Sequence, residues 1–289
     1  MHQYISSPKR TIGILSAYGI RLRKGLGQNY IIDTNTIKKI VAAADIRKGE
    51  AVLEIGSGIG SLTEILLQEG AGKVICIEID KKVSEAFRAT LAGALEEGKI
   101  ELITKDAMDI DLGSLSSEYG INKMVSNLPY KIAAPLMLKI LRGAPQIKTT
   151  LVTIQKDIAD RILASKGDKD YSAYTVKSDL LADHRACFKV SRNCFMPKPF
   201  VDSVVLETSR KGLPPIFKTA GQVDRYFDLV NSAFRHRRKK LLNSLAASEA
   251  YKARLERITG LLKDLDKDFS VRAEDLSPGD YIYIFKNLE

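Results

Sequence analysis

The sequence predicts an α/β protein: a mostly parallel sheet covered by helices, followed by a smaller all-helical domain. Three observations predict it. Short apolar runs alternate with helix-period segments up to Gln155, the pattern of a parallel sheet whose crossovers are helices. Two later strand-like runs, 185–190 and 203–208, follow each other with no obvious helix between them and extend the sheet antiparallel. After Lys211-Gly212-Leu213-Pro214-Pro215 the pattern becomes helical with charged faces, and the Pro-Gly cluster marks a linker.

In chain order, residues 1–30 are basic and read as an arm and loop ending in Lys24-Gly25-Leu26-Gly27-Gln28-Asn29-Tyr30. Asp33-Thr34-Asn35 offers N-cap oxygens to a helix with Ile37, Ile40 and Val41 on one face. Strands are predicted at 51–55, 73–77, 100–104, 123–126 and 150–155, with helices at 62–69, 81–95 and 135–142 in the gaps. The expected domains are an arm over 1–30, a sheet domain over 31–210 and a helical domain over 216–289.

A chain of 289 residues that is 45% hydrophobic can bury a substantial core. No apolar run approaches a membrane span, and residues 1–10 lack a signal-peptide pattern. Cys76, Cys187 and Cys194 form no Cys-x-x-Cys pair, which suits unpaired thiols in a reducing cytoplasm. His2, His184 and His236 stand at no ligand spacing, so no metal is expected, and with no coiled-coil signature the expected state is a monomer. The net charge of +10 favours a polyanionic partner. Arg235-His236-Arg237-Arg238-Lys239-Lys240 is read either as a solvated helix face or as an RNA contact made by Arg235, Arg237, Arg238 and Lys239.

Two constellations carry chemistry. Glu54-Ile55-Gly56-Ser57-Gly58-Ile59-Gly60 lies between a strand and a helix, where glycines let the backbone approach a nucleotide at the sheet's C-terminal edge. Glu78 closes the second strand, where an acid accepts from ribose hydroxyls, and Asp106 follows the third, placed for an adenine edge. The spacing is G-x-G-x-G without a Walker lysine, which favours S-adenosyl-L-methionine over a dinucleotide. The second constellation, Asn127-Leu128-Pro129-Tyr130, ends the fourth predicted strand. The amino nitrogen of adenine is a poor nucleophile because its lone pair is delocalised. The Asn127 side-chain carbonyl and the Leu128 backbone carbonyl can accept from its hydrogens and draw it towards tetrahedral geometry. Pro129 stiffens the turn and Tyr130 offers a ring on which the base stacks. In Asn193-Cys194-Phe195-Met196-Pro197-Lys198-Pro199-Phe200-Val201-Asp202-Ser203, Phe195 or Phe200 is a candidate second face, with Phe195 favoured.

With these residues the chain resembles the small-subunit (16S) ribosomal RNA adenine N6,N6-dimethyltransferases. The likeness runs through 7–11, 26–33, 52–63, 77–80, 106–108, 127–130, 155–161, 169–171, 195–205, 233–240 and 272–277. It implies a class I methyltransferase sheet of seven strands with a helical C-terminal domain. It also implies an enzyme that uses S-adenosyl-L-methionine to dimethylate two adjacent adenosines near the 3′ end of small-subunit rRNA in the assembling 30S subunit. The resemblance gives Asn29, Ile31, Gly56, Glu78, Asp106 and Asn127 to the cofactor, and Asn127 to Tyr130 with Phe195 to the adenine. The target must leave its stack to be reached. Three places depart from the family pattern: Lys131 follows the tetrad where Asn is usual, Ser172-Ala173-Tyr174-Thr175 replaces a Gly-Arg-Leu-Ser run, and Ser57 stands in the glycine loop where Pro is frequent. Alternatives are the erythromycin-resistance type, which methylates an adenine of large-subunit (23S) rRNA, and an RNA- or DNA-binding factor that keeps the fold without catalysis.

Overall fold

The computed structural model describes residues 3–21 and 29–289. Gly25, Gly27 and Gln28 of the predicted loop lie outside the described residues. The chain forms two compact units, Met1–Ala159 with His184–Arg210 and Asp160–Asp183 with Lys211–Glu289.

The first unit holds the sheet. Its strands are β1 (Tyr30–Ile31), β2 (Ala51–Ile55), β3 (Lys73–Glu78), β4 (Ile100–Thr104), β5 (Lys123–Asn127), β6 (Thr149–Gln155), β7 (Ala182–Val190), β8 (Phe195–Met196) and β9 (Ser203–Arg210). Seven of them lie in the order β4-β3-β2-β5-β6-β9-β7, while β1 and β8 form a separate ribbon. Pairs from β4 through β6 are parallel, and β9 runs antiparallel to β6 with Gln155 opposite Ser203. The strand order reverses between β2 and β5, which makes the crevice beyond their C-terminal ends the switch point where such sheets bind ligands. Val52, Leu53, Ile55, Met124 and Val125 on these two strands are almost wholly buried, as expected of central parallel strands covered on both faces.

Sequence and structure differ in three places here. Residues 8–17 of the expected arm form a helix, Pro8–Ala17, with Pro at its start. This segment is tied to the unit by Ile5 N, which donates to Glu64 Oε2 at 2.8 Å, and by the hydrogen bond between the Ser6 and Thr34 hydroxyls at 2.7 Å. The predicted helix 81–95 is two helices, Lys81–Thr90 and Ala92–Glu96, parted at Leu91, whose φ of −120° and ψ of 27° leave the helical range. Finally, 160–183 belongs with the second unit, although its sequence position falls inside the predicted sheet domain.

The reason is packing. In the second unit the Tyr171 hydroxyl donates to the Leu276 carbonyl at 2.8 Å and its ring lies 6.1 Å from that of Phe234. Helix Ala173–Leu181 begins where the Thr175 hydroxyl accepts from Ser172 N at 3.1 Å and donates to the Arg161 carbonyl at 2.8 Å. The departing Ser172–Thr175 stretch is thus a helix cap. Helices Ala220–Phe234, Leu255–Asp264 and Pro278–Leu288 complete the unit around Phe217, Tyr226 and Phe285. Phe217 stacks on Phe285 at 5.2 Å, and Tyr226 meets both edge-on at 5.4 and 5.6 Å.

Candidate active site

A pocket of about 680 Å³, including its open mouth, occupies the switch point. Asn29, Ile31, Gly56, Glu78, Asn127, Leu128 and Pro129 line it together with Tyr30, Ile37 and Glu54. Most of the residues assigned to the cofactor from sequence therefore converge, although they span about a hundred positions.

Two glycines make the floor. Gly56 follows β2 with φ of +75°, and a Cβ there would stand 2.9 Å from the Pro129 ring. Gly58 has φ of +58°, and a Cβ there would stand 2.9 Å from the Tyr30 ring. Neither conformation nor space suits a side chain. Glu78, at the end of β3, is buried; its carboxylate accepts from Gly58 N at 3.0 Å and Asp80 N at 2.9 Å. Burial pushes its pKa up, opposed by these backbone bonds. A carboxylate has about four acceptor positions, so two backbone bonds leave it able to accept from hydroxyl groups.

Asn127 ends β5. Its Nδ2 donates to the Asn29 backbone carbonyl at 2.8 Å. Its Oδ1 is buried and has no hydrogen-bond partner among the described residues. Leu128 N donates to the Thr153 carbonyl at 3.1 Å, and the Pro129 carbonyl accepts from Ile132 N at 3.1 Å, which fixes the turn into helix Ala133–Gly143. Arg210 caps that helix at its far end, its guanidinium donating to the carbonyls of Ile140, Leu141, Ala144 and Ile147 at 2.6 to 3.1 Å.

Three predicted residues do not line the pocket. Asp106 follows β4 and spends one oxygen as the cap of a short 3-10 turn, accepting from Met108 N at 2.8 Å. Tyr130 points its hydroxyl to Ser203 Oγ at 3.0 Å. Phe195 is buried in the core, because it sits directly opposite Ile31 in the β1–β8 ribbon and opposed residues share a face. It backs the pocket wall with Ile31 and Ile37, and Phe200 stands exposed instead.

Glu54 opens the glycine motif and carries no role predicted from sequence. This acid is buried in β2, and the Thr63 hydroxyl donates to its Oε2 at 2.6 Å with Cys76 Sγ 3.9 Å away. Burial pushes its pKa up to about 8 despite the Thr63 bond. The available signal was a charge in the strand run Ala51-Val52-Leu53-Glu54-Ile55. Ser203 was the other omission, paired with Tyr130 across 73 residues.

The basic run lies in the second unit and is a turn between helices Ala220–Phe234 and Leu241–Leu245, not a helix face. The Ser244 hydroxyl accepts from His236 N at 3.2 Å and Lys239 N donates to the His236 carbonyl at 2.8 Å, bonds that close the turn. Arg237 is occupied, pairing with Glu274 at 2.6 Å and donating to the Lys169 carbonyl. Arg235 reaches the Ala247 carbonyl at 3.4 Å. The exposed side chains of Arg238 and Lys239 have no partner among the described residues. Among the described residues no helix is long and apolar enough to cross a membrane.

A parallel sheet with a glycine turn after β2, an acid ending β3 and Asn-Leu-Pro-Tyr closing β5 defines a class I S-adenosylmethionine-dependent methyltransferase. The ribosomal RNA adenine dimethylase family profile matches residues 19–288, and the chain belongs to that family. It is 37% identical to a ribosomal RNA small subunit methyltransferase A from Pelotomaculum thermopropionicum over 97% of this chain and 96% of that one. It is 37% identical to a protein of the same description from Geobacillus thermodenitrificans over 85% and 83%. Among solved structures, a dimethyladenosine transferase from Plasmodium falciparum superposes with a TM-score of 0.69 at 27% identity, covering 87% of this chain and 94% of that one. The 23S rRNA methyltransferase ErmE superposes at 0.62 with 25% identity, covering 89% and 98%.

Proposed function

We propose that this chain dimethylates N6 of two adjacent adenosines near the 3′ end of small-subunit ribosomal RNA, acting on the assembling subunit. The observation that carries the reading is the Asn127 side chain. Its amide nitrogen is committed to the Asn29 carbonyl, which turns Oδ1 the other way, buried and without a donor. An unsatisfied buried acceptor costs about 1–3 kcal/mol, and an exocyclic amino group supplies the missing donor. The full-length likeness to small-subunit methyltransferases supports the choice of RNA.

The pocket residues fit S-adenosylmethionine: two glycines let the turn pack against Pro129 and Tyr30 where a Cβ would collide, and Glu78 stands where ribose hydroxyls need an acceptor. When bound, the cofactor supplies an electrophilic methyl group on its sulfonium. The chain's part is positioning. Asn29, Ile31, Gly56 and Glu78 seat the donor, with Asp106 at the adenine end. Asn127 Oδ1 and the Leu128 carbonyl hold the target amino hydrogens. Tyr130 stacks on the base, and Phe195 braces the wall from behind. Two reactants held in line need no strong general base.

The test is mass spectrometry of both ribosomal RNAs from cells lacking the gene, followed by methylation of the unmodified small subunits with purified protein. Dimethyladenosine is expected to disappear from the small subunit and to return with the wild-type protein. The Asn127→Ala variant should restore none of it while still binding the subunit. Unchanged small-subunit dimethyladenosine in the deletion strain overturns the proposal, and loss from the large subunit favours the other RNA.

A further inference from the structure

We infer that Ser126 is a positioning residue for methyl transfer: its hydroxyl clasps the strand that leads into the glycine turn to the strand that ends at Asn127, and so sets the spacing between methyl donor and acceptor. The inference rests on the reading of Gly56 as part of the cofactor seat and of Asn127 as the holder of the target amino group. Ser126 is wholly buried on a central strand, where a hydroxyl needs a partner to offset its loss of water. That partner is on the neighbouring strand. The buried amide of Ile55 donates to Ser126 Oγ at 2.9 Å.

The bond sits one residue back from both parts of the site, since Ile55 precedes Gly56 and Ser126 precedes Asn127. Backbone pairing between β2 and β5 covers Val52 opposite Lys123 and Leu53 opposite Met124. Continued in register, Ile55 faces Ser126, and at that step a side chain joins the strands. The outer ladders run further. β2 pairs with β3 as far as Ile55 opposite Ile77, and β5 pairs with β6 as far as Asn127 opposite Thr153.

Two halves of the site are therefore built independently of the clasp. Gly56 and Glu78 belong to the β2–β3 half, while Asn127 and Leu128 belong to the β5–β6 half, where Leu128 N donates to the Thr153 carbonyl at 3.1 Å. Just beyond the clasp the halves pack tightly: a Cβ on Gly56 would stand 2.9 Å from the Pro129 ring and 3.5 Å from the Asn127 carbonyl oxygen. Removing the Ser126 hydroxyl leaves each half with its own ladder and loosens the distance between them. Transfer between two held reactants is sensitive to that distance, since a misplacement of about 1 Å can cost about 100-fold in rate.

The experiment compares wild type, Ser126→Ala and Ser126→Cys on unmodified small subunits, with cofactor affinity from calorimetric titration and exchange of the Ile55 amide from NMR. Cysteine keeps the shape and weakens the acceptor, so it carries the test if Ser126→Ala does not fold. Ser126→Ala should lower kcat about ten-fold and Ser126→Cys about three-fold, with KM for the subunit and S-adenosylmethionine affinity within about two-fold of wild type. The Ile55 amide should exchange faster in both. Wild-type kcat in either folded variant overturns the proposal. So does a loss shared by kcat, KM and cofactor affinity, which would make Ser126 a support of the sheet alone. If the wild type methylates no small subunits, it is the functional reading that fails. The clasp is then judged by exchange, and an Ile55 amide as slow in the variants as in the wild type overturns it.

Discussion

The Tyr130 hydroxyl and Ser203 Oγ lie 3.0 Å apart, joining the tetrad to the first residue of β9. Ser203 is fully buried, so the partner that holds the ring cannot swing away. Burial pushes the Tyr130 phenol above its ordinary pKa, against the pull of the Ser203 bond, and keeps it neutral. Tyr130→Phe and Ser203→Ala break the same bond from opposite ends. Each is expected to lower kcat/KM about 2- to 13-fold, the value of a neutral hydrogen bond of about 0.5–1.5 kcal/mol. The double variant should be no worse than either single one. Additive losses in steady-state kinetics would show that the two groups act separately.

Gly58→Ala should weaken the cofactor site. Its φ of +58° is costly for an L side chain, and the new methyl would meet the Tyr30 ring at 2.9 Å. A loss of about 1–2 kcal/mol in stability is expected from the backbone alone. Calorimetric titration should show at least ten-fold weaker S-adenosylmethionine binding. Tyr30→Ala in the same chain removes the collision and leaves the backbone strain, so it should recover binding only in part. Wild-type affinity in Gly58→Ala would mean that the loop does not touch the cofactor.

Glu54 predicts a pH dependence of stability. Its folded pKa, raised from 4.5 to about 8 by burial, exceeds the unfolded value. The folded chain therefore binds this proton more tightly, and stability falls as pH rises through that window. Glu54→Gln, which cannot ionise, should gain on the wild type between pH 5 and pH 8.5 by up to a few kcal/mol. Thermal melting across that range reads the difference. Parallel profiles for the two proteins would show that Glu54 is charged throughout.

The basic turn should divide by pairing. Arg238 and Lys239 are unpartnered among the described residues, while Arg237 is held by Glu274. Arg238→Ala with Lys239→Ala is expected to weaken subunit binding and lower the slope of log affinity against log salt by about 1.4–1.8. Arg237→Ala should change the slope less and stability more. Equal slopes for all variants would return the turn to a solvated surface.

Local pattern made the sheet legible, because alternating runs and the Gly56 turn are contiguous in sequence. The lining of the pocket was legible for the same reason: Glu78 and Asn127 each end a strand, and parallel strands end at one edge. What stayed hidden depends on distant partners. Nothing near Ser203 announces Tyr130, and only the ribbon pairing of Ile31 with Phe195 turns that ring inward. The basic run reads as helix in isolation, and Ser244, eight residues beyond His236, closes it as a turn. Tyr171 left the predicted sheet domain because its hydroxyl finds a carbonyl 105 residues away.

β9 begins at Ser203, which touches Tyr130, and ends at Arg210, which grips the far end of the helix that Tyr130 leads into. One strand therefore braces that segment at both ends, like a strut fixed across a bow. The rigidity of the Asn127–Tyr130 turn is in part a property of a residue on the order of 20 Å away along β9. Loosening the Arg210 end slackens the whole span, so damage there is expected to reach the turn at Asn127–Tyr130 without touching any of its residues.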